Sequence, residues 1–349
     1  MTQTIAIGTD KGLFLATRAG SGWTLSEPQF LGWRVTAFDA LQSGSFLAGT
    51  SSGWFGPAIQ RSANARDWTQ VAPGPSFEPD DGAELQQIWR FHETPDALYV
   101  GVAEAGLFRS RDDGLTWSQV SGLRRHESAG SWFPGAGGLC AHSIQHDPTN
   151  PNRLWVGISA VGVFRSDDGG DSWTLTNDGV QVTGPPDAGV EHDIGYCVHA
   201  LVLDPDDPGV LYRQEHRGLY RSEDGAQTWQ DANAGVPSRF GFPLVMDNST
   251  RNLFAVPQQS DEHRIPLDGR LRVYRSTDRA RTWHDASNGL PDEPGYAGVL
   301  RTAMSTDNQG LVALGTTSGE VHVSEDSGDS WSPIGVTLPR IFCVTVVDI

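Results

Sequence analysis

The chain has 349 residues, a length that suits one large all-β domain or two average ones. Its 41 glycines and 21 prolines are evenly spread, only 19% of residues are charged, and no stretch reads as a linker, so one domain over residues 1–349 is expected. A formal net charge of −18 repels phosphate backbones and anionic head groups, which argues against nucleic-acid and membrane partners.

Residues 1–8 run straight into a strand pattern, without the basic region and apolar core of a signal peptide. No apolar run approaches the ~18 residues needed to span a bilayer. A box ending in tryptophan recurs along the chain. Residues 12–23 keep only its Gly-Leu-Phe and its final tryptophan, and residues 60–68 (QRSANARDW) are a shortened copy. The full copies are residues 106–117 (GLFRSRDDGLTW), 162–173 (GVFRSDDGGDSW), 218–229 (GLYRSEDGAQTW), 272–283 (RVYRSTDRARTW) and 320–331 (EVHVSEDSGDSW). Ser/Thr and Asp side chains are expected to bond a hairpin turn, glycine where present to take a positive φ, and the tryptophan to bury against its own sheet. Alternating strands flank every copy, as at residues 97–101 and 153–157, which makes four strands per unit at a spacing of roughly fifty residues. The first copy lacks an innermost strand, and residues 340–349 form an innermost strand with nothing after it. The expected fold is therefore a seven-bladed β-propeller with four-stranded antiparallel blades, closed by the C-terminal strand joining the N-terminal blade.

The boxes, S-x-D-x-G-x-T/S-W in the best copies, resemble the Asp-box (BNR) repeats of sialidases, xyloglucan hydrolases, sortilin-type receptors and photosystem assembly factors. The chain looks closest to bacterial cytosolic Asp-box proteins labelled exo-sialidase or glycosyl hydrolase. The resemblance implies that the boxes are structural and lie away from any active site. Sialidases have six blades, and Arg264-Ile265-Pro266 falls in a late loop rather than near the N-terminus, which argues against true sialidase activity.

A ligand is expected at the channel mouth opposite the boxes, where the long insertions 118–139, 174–196 and 257–270 lie. Registering blades on Asp147-Pro148, Asp204-Pro205 and Asp247-Asn248 brings His142, His199, Phe242, Trp89 and Arg301 to one level, with Arg34 and Arg340 beginning the equivalent strands of two more blades. Nearby loops add Trp33, His126, Trp132, His192, His216 and Arg239. Such a cationic, aromatic mouth suits an anionic or saccharide ligand.

Three chemistries compete. His142 or His199 as base with Tyr196 as acid suits proton abstraction beside a carboxylate. Glu127, Glu191, Asp193, Glu215 and Glu262 are candidates for a glycosidase carboxylate pair. His142, His199 and Glu191 or His192 are candidates to hold a metal, although no linear metal motif exists. No G-x-S-x-G, P-loop or dinucleotide fingerprint is present, and the sequence leaves the cofactor open. The three cysteines, Cys140, Cys197 and Cys343, lie in apolar segments and read as buried reduced thiols, so a cytoplasmic protein is expected. The other reading is a non-catalytic scaffold or assembly factor using the same face for a peptide or partner protein.

Overall fold

The structure is a computed structural model that describes residues 2–20, 22–181 and 194–349. Near the N-terminus, β1 (Gln3–Thr9), β2 (Gly12–Ala19) and β3 (Gly22–Leu25) form a meander. Five four-stranded antiparallel sheets come next. The first holds β4 (Arg34–Ala40), β5 (Phe46–Ser52), β6 (Gly56–Ser62) and β7 (Trp68–Gln70). The second holds β8 (Gln87–Glu93), β9 (Leu98–Ala103), β10 (Gly106–Ser110) and β11 (Ser118–Gln119), and the short helix α1 (Ser121–Arg124) comes after it. The third holds β12 (Ala141–Asp147), β13 (Asn150–Ile158), β14 (Gly162–Ser166) and β15 (Thr174–Leu175). The fourth is β16 (Val198–Leu203), β17 (Leu211–Glu215), β18 (Gly218–Ser222) and β19 (Gln230–Asp231). The fifth is β20 (Gly241–Met246), β21 (Leu253–Pro257), β22 (Tyr274–Ser276) and β23 (His284–Asp285).

The remaining strands are β24 (Val299–Thr306), β25 (Val312–Thr316), β26 (Glu320–Ser324), β27 (Ser332–Thr337) and the C-terminal β28 (Ile341–Asp348). β28 pairs antiparallel with β1, from Gln3↔Asp348 to Thr9↔Ile341, and so supplies the strand that the N-terminal meander lacks. One parallel bridge, Thr302↔Cys343, joins the two groups into an eight-stranded sheet of order β27-β26-β25-β24-β28-β1-β2-β3. The innermost strands pack in sequence, β4 on β8, then β12, β16, β20, β24 and β28, and β28 packs back on β4. This is an all-β propeller arrangement.

The recurring turn explains why the chain reverses where it does. Ser166 Oγ accepts from the Gly170 N–H at 2.8 Å and donates to Asp168, which accepts the Ser172 N–H at 2.9 Å and the Ser172 hydroxyl at 2.5 Å. Gly170 sits at φ +98°, which an L side chain rarely adopts. Asp112, Asp224, Asp278 and Asp326 make the same bonds in their own turns.

The tryptophans depart from expectation. Trp117 and Trp173 bond their own turns, at Gly114 O and Gly170 O. By contrast, the indole N–H groups of Trp229, Trp283 and Trp331 donate to Thr176 O (2.8 Å), Ala232 O (2.9 Å) and Ala286 O (2.7 Å), all in the preceding sheet. The backbone N–H groups of the same three residues donate to Asp178, Ala234 and Asn288. These boxes therefore fasten one sheet to the next. Box turns and the turns after the innermost strands share one end of the molecule, since Arg153 reaches both Asp147 (3.0 Å) and Asp167 (2.6 Å).

Two outcomes are expected. Trp283→Phe keeps the ring but orphans the Ala232 carbonyl, and urea unfolding should show a loss of about 1–3 kcal/mol, against little change for the exposed Trp54→Phe. The Ser172 hydroxyl and N–H hold Asp168 down to about 2, below its unfolded value near 4. Its contribution is complete above about pH 4 and lost as pH falls toward about 2, so Asp168→Asn should flatten the acid limb of the stability curve.

Candidate functional site

At the entry end of the innermost strands the pairing with the second strand skips a residue. The register jumps from Val35 to Ala37, Ile88 to Arg90, Ala141 to Ser143 and Val198 to Ala200. The skips are wider in β20 and β24, and take in Phe242 and Arg301. Such bulges re-aim the skipped side chains, here Thr36, Trp89, His142, His199, Phe242 and Arg301. Three of them bridge to the next innermost strand. Thr36 Oγ1 donates to Ile88 O at 2.7 Å, His142 Nε2 bonds Val198 O at 2.8 Å, and His199 Nδ1 bonds Gly241 O at 2.6 Å.

In β28 the skipped residue is Phe342. Arg34 begins β4, as expected, and Arg340 directly precedes β28, each two residues ahead of the skipped side chain of its strand. Arg34 Nε sits 2.8 Å from Asp10, and the guanidinium carbons of Arg34 and Arg340 lie 4.6 and 5.9 Å from the Phe342 ring centre.

Arg301 occupies the centre of this layer. Its guanidinium carbon is 5.8 Å from the Trp89 ring centre and 5.0 Å from that of Phe242. It makes no ion pair among the described residues, and its Nε has no partner there. Beyond it lies a cavity of about 390 Å³. Its lining runs from His142, His199 and Arg301 to Pro148, Pro205, Asn248 and Asn308, so this space extends toward the box end rather than the opposite mouth.

The lining includes residues that the sequence reading missed: Arg90, His92 and His146. His92 Nε2 and His146 Nδ1 are 2.8 Å apart and share one proton position. Burial, with His146 and Arg90 beside it, pushes His92 down to about 3. Burial also pushes Asp39, near Arg90, up to about 6. Arg90 and His92 are two apart on an innermost strand and so share its channel face, a signal available from strand alternation alone.

The other candidates scatter. His142 is 3% exposed and has both nitrogens engaged, Nδ1 with Ser143 Oγ and Nε2 with Val198 O, so neither is free of a protein partner. Tyr196 is buried with Arg213 6.0 Å from its ring. Glu215 is sealed against Arg213 at 2.6 Å, both fully buried, so it cannot meet a sugar. His126 and Trp132 pack on Phe164 and share the Ser128 hydroxyl, away from the channel. Arg239 pairs with Asp231 at 2.6 Å on the surface. Trp33 stacks on Phe55 at 5.8 Å beside the exposed Trp54 and Leu31. His216 joins His199, their ring centres 4.8 Å apart. Glu191, His192 and Asp193 lie outside the described residues.

No family model matches the chain. It is similar to the oligoxyloglucan-reducing end-specific xyloglucanase of Emericella nidulans, 27% identical over 205 residues, which covers 57% of this chain and 24% of that protein. A xyloglucanase of Hypocrea jecorina is 25% identical over 322 residues, 91% of this chain and 32% of that protein. The chain spans about a quarter to a third of the length of these relatives. Among solved structures, an ancestral GH74 enzyme aligns with a TM-score of 0.53 at 16% identity, over 90% of this chain and 38% of that one. The WD40 β-propeller domain of Doa1 aligns with a TM-score of 0.54 at 10% identity, over 94% and 91% of the two chains. These likenesses support a propeller of the sialidase/xyloglucanase-like superfamily.

Burial holds His92 and His142 each at about 3, below the 6.5 of a free imidazole, so both stay neutral in the folded protein. The unfolded chain binds more protons between about pH 6.5 and 3, and stability should fall as pH drops through that window. Histidine NMR resonances of His92 and His142 are expected not to titrate between about pH 7 and 5.

Proposed function

We propose that the protein binds an acidic saccharide in the channel beside Arg301, on a seven-bladed Asp-box propeller, and hydrolyses glycosidic bonds. The observation that carries the site is Arg301, a guanidinium enclosed by Trp89 and Phe242 with no carboxylate partner among the described residues, at the end of a cavity of saccharide size. Arg90, also without an ion pair among them, adds a second positive group to the lining. The xyloglucanase relatives support glycoside hydrolysis as the reaction class. Support for seven blades comes from the cyclic packing of the innermost strands and from the single bridge inside the eight-stranded sheet. The three free, buried thiols suit a cytoplasmic protein.

A second reading, a scaffold that docks a peptide or partner protein, is favoured by the exposed patch of Leu31, Trp54 and Phe55, which are 75%, 92% and 79% exposed.

Calorimetric titration with glucuronate and with inorganic phosphate separates the two. Glucuronate should bind wild type and weaken at least tenfold in Arg301→Met, while Trp54→Ala leaves it unchanged. Absence of binding to either anion, or equal binding to Arg301→Met, would overturn the channel reading. Release of reducing ends from xyloglucan and acidic oligosaccharides tests the hydrolysis.

A further inference from the structure

Beside Arg301 three potential metal ligands come together, and one of them, His199, also lines the cavity. Cys197 and His199 lie on either side of Val198, where the chain enters β16 and the bulge re-aims His199. His216 comes from the turn between β17 and β18 in the same sheet. One potential ligand atom from each lies within 4.8 Å of the others. Cys197 and His199 are 7% and 1% exposed, and His216 is half-buried at the edge.

The hydrogen bonds prepare these groups for a cation. His199 Nδ1 bonds the Gly241 carbonyl at 2.6 Å, which fixes the N–H there and leaves Nε2 as a bare lone pair. That Nε2 is buried with no partner among the described residues. A buried imidazole nitrogen left so is costly, and Phe240 and Phe242 on either side offer nothing to it. His216 Nδ1 lies 3.3 Å from Asp261, off the line of a hydrogen bond; a small ring rotation would make Asp261 the carboxylate that orients the second imidazole.

We propose that Cys197, His199 and His216 hold a zinc ion at the loop end of the channel. One thiolate and two imidazoles are a borderline-soft set that suits zinc, with three protein ligands and a fourth position open to water. Zinc at about 2.0–2.3 Å from each ligand needs ligand atoms roughly 3.5 Å apart, and His216, the least buried of the three, has the freedom to close the gap. Binding releases the Cys197 proton to solvent and changes no oxidation state. Linear motif reading misses the set, because the third ligand comes a whole strand after the first two. The inference goes beyond the anion site and does not depend on it.

The test uses full-length, untagged protein purified without chelator. Elemental analysis should find one zinc per chain, removable with a chelator and restored by zinc alone. Cobalt(II) in its place should give tetrahedral visible bands with a sulfur-to-cobalt charge-transfer band. Cys197→Ser should lose the charge-transfer band, and His216→Gln should bind zinc at least tenfold more weakly, each with an unchanged far-ultraviolet circular dichroism spectrum. Zinc should raise the melting temperature of wild type more than that of either variant. Absence of retained zinc together with a featureless cobalt spectrum overturns the site, as does zinc affinity equal to wild type in both variants.

Discussion

In this protein neighbouring sheets supply one another with hydrogen-bond partners. At the rim, the indole N–H groups of Trp229, Trp283 and Trp331 end on carbonyls of the sheet before. At the hub, Thr36, His142 and His199 reach carbonyls of the sheet after. An isolated sheet would leave these carbonyls and indoles to water and expose the apolar faces between sheets. Each sheet is therefore stable only when both neighbours are present, and cooperativity follows from the placement of a few polar groups as much as from buried area.

The same bulges that tie the hub together also decide what the channel can do. A skipped residue points across the channel or toward the next strand, depending on its length and chemistry. Threonine and histidine are short enough to be absorbed into inter-strand bonds, so His142 is spent on architecture. Arginine is too long for that, and Arg301 reaches across to Trp89 on the far wall. At this level Thr36 and His142 tie neighbouring strands, while Arg301 is left facing the channel between Trp89 and Phe242.

Legibility followed locality. The box turns were readable because every bond in them spans four residues or fewer, and the missing first strand and surplus last strand pointed to the β1–β28 pair. Contacts between sheets leave no such trace. Nothing local says that Trp283 donates to Ala232, that Arg34 sits above Phe342 rather than in line with His142, or that His92 meets His146. The position of the cavity was likewise hidden, because it depends on Arg301 closing one end. Arg90 and His92 are the exception: they alternate along the strand that also carries Trp89, so the channel face was legible there.

The pairing of Gln3 with Asp348 has a temporal side. During synthesis β1 emerges long before β28, the strand that covers it. Until then β1 presents a free edge with unpaired N–H and C=O groups, a template for any other extended chain. Closing a loop of almost the whole chain length is also slow relative to the hairpins inside each sheet, so ring closure is the natural last step of folding. The interval before it is when this molecule is most exposed to misassembly, including exchange of β28 between two copies.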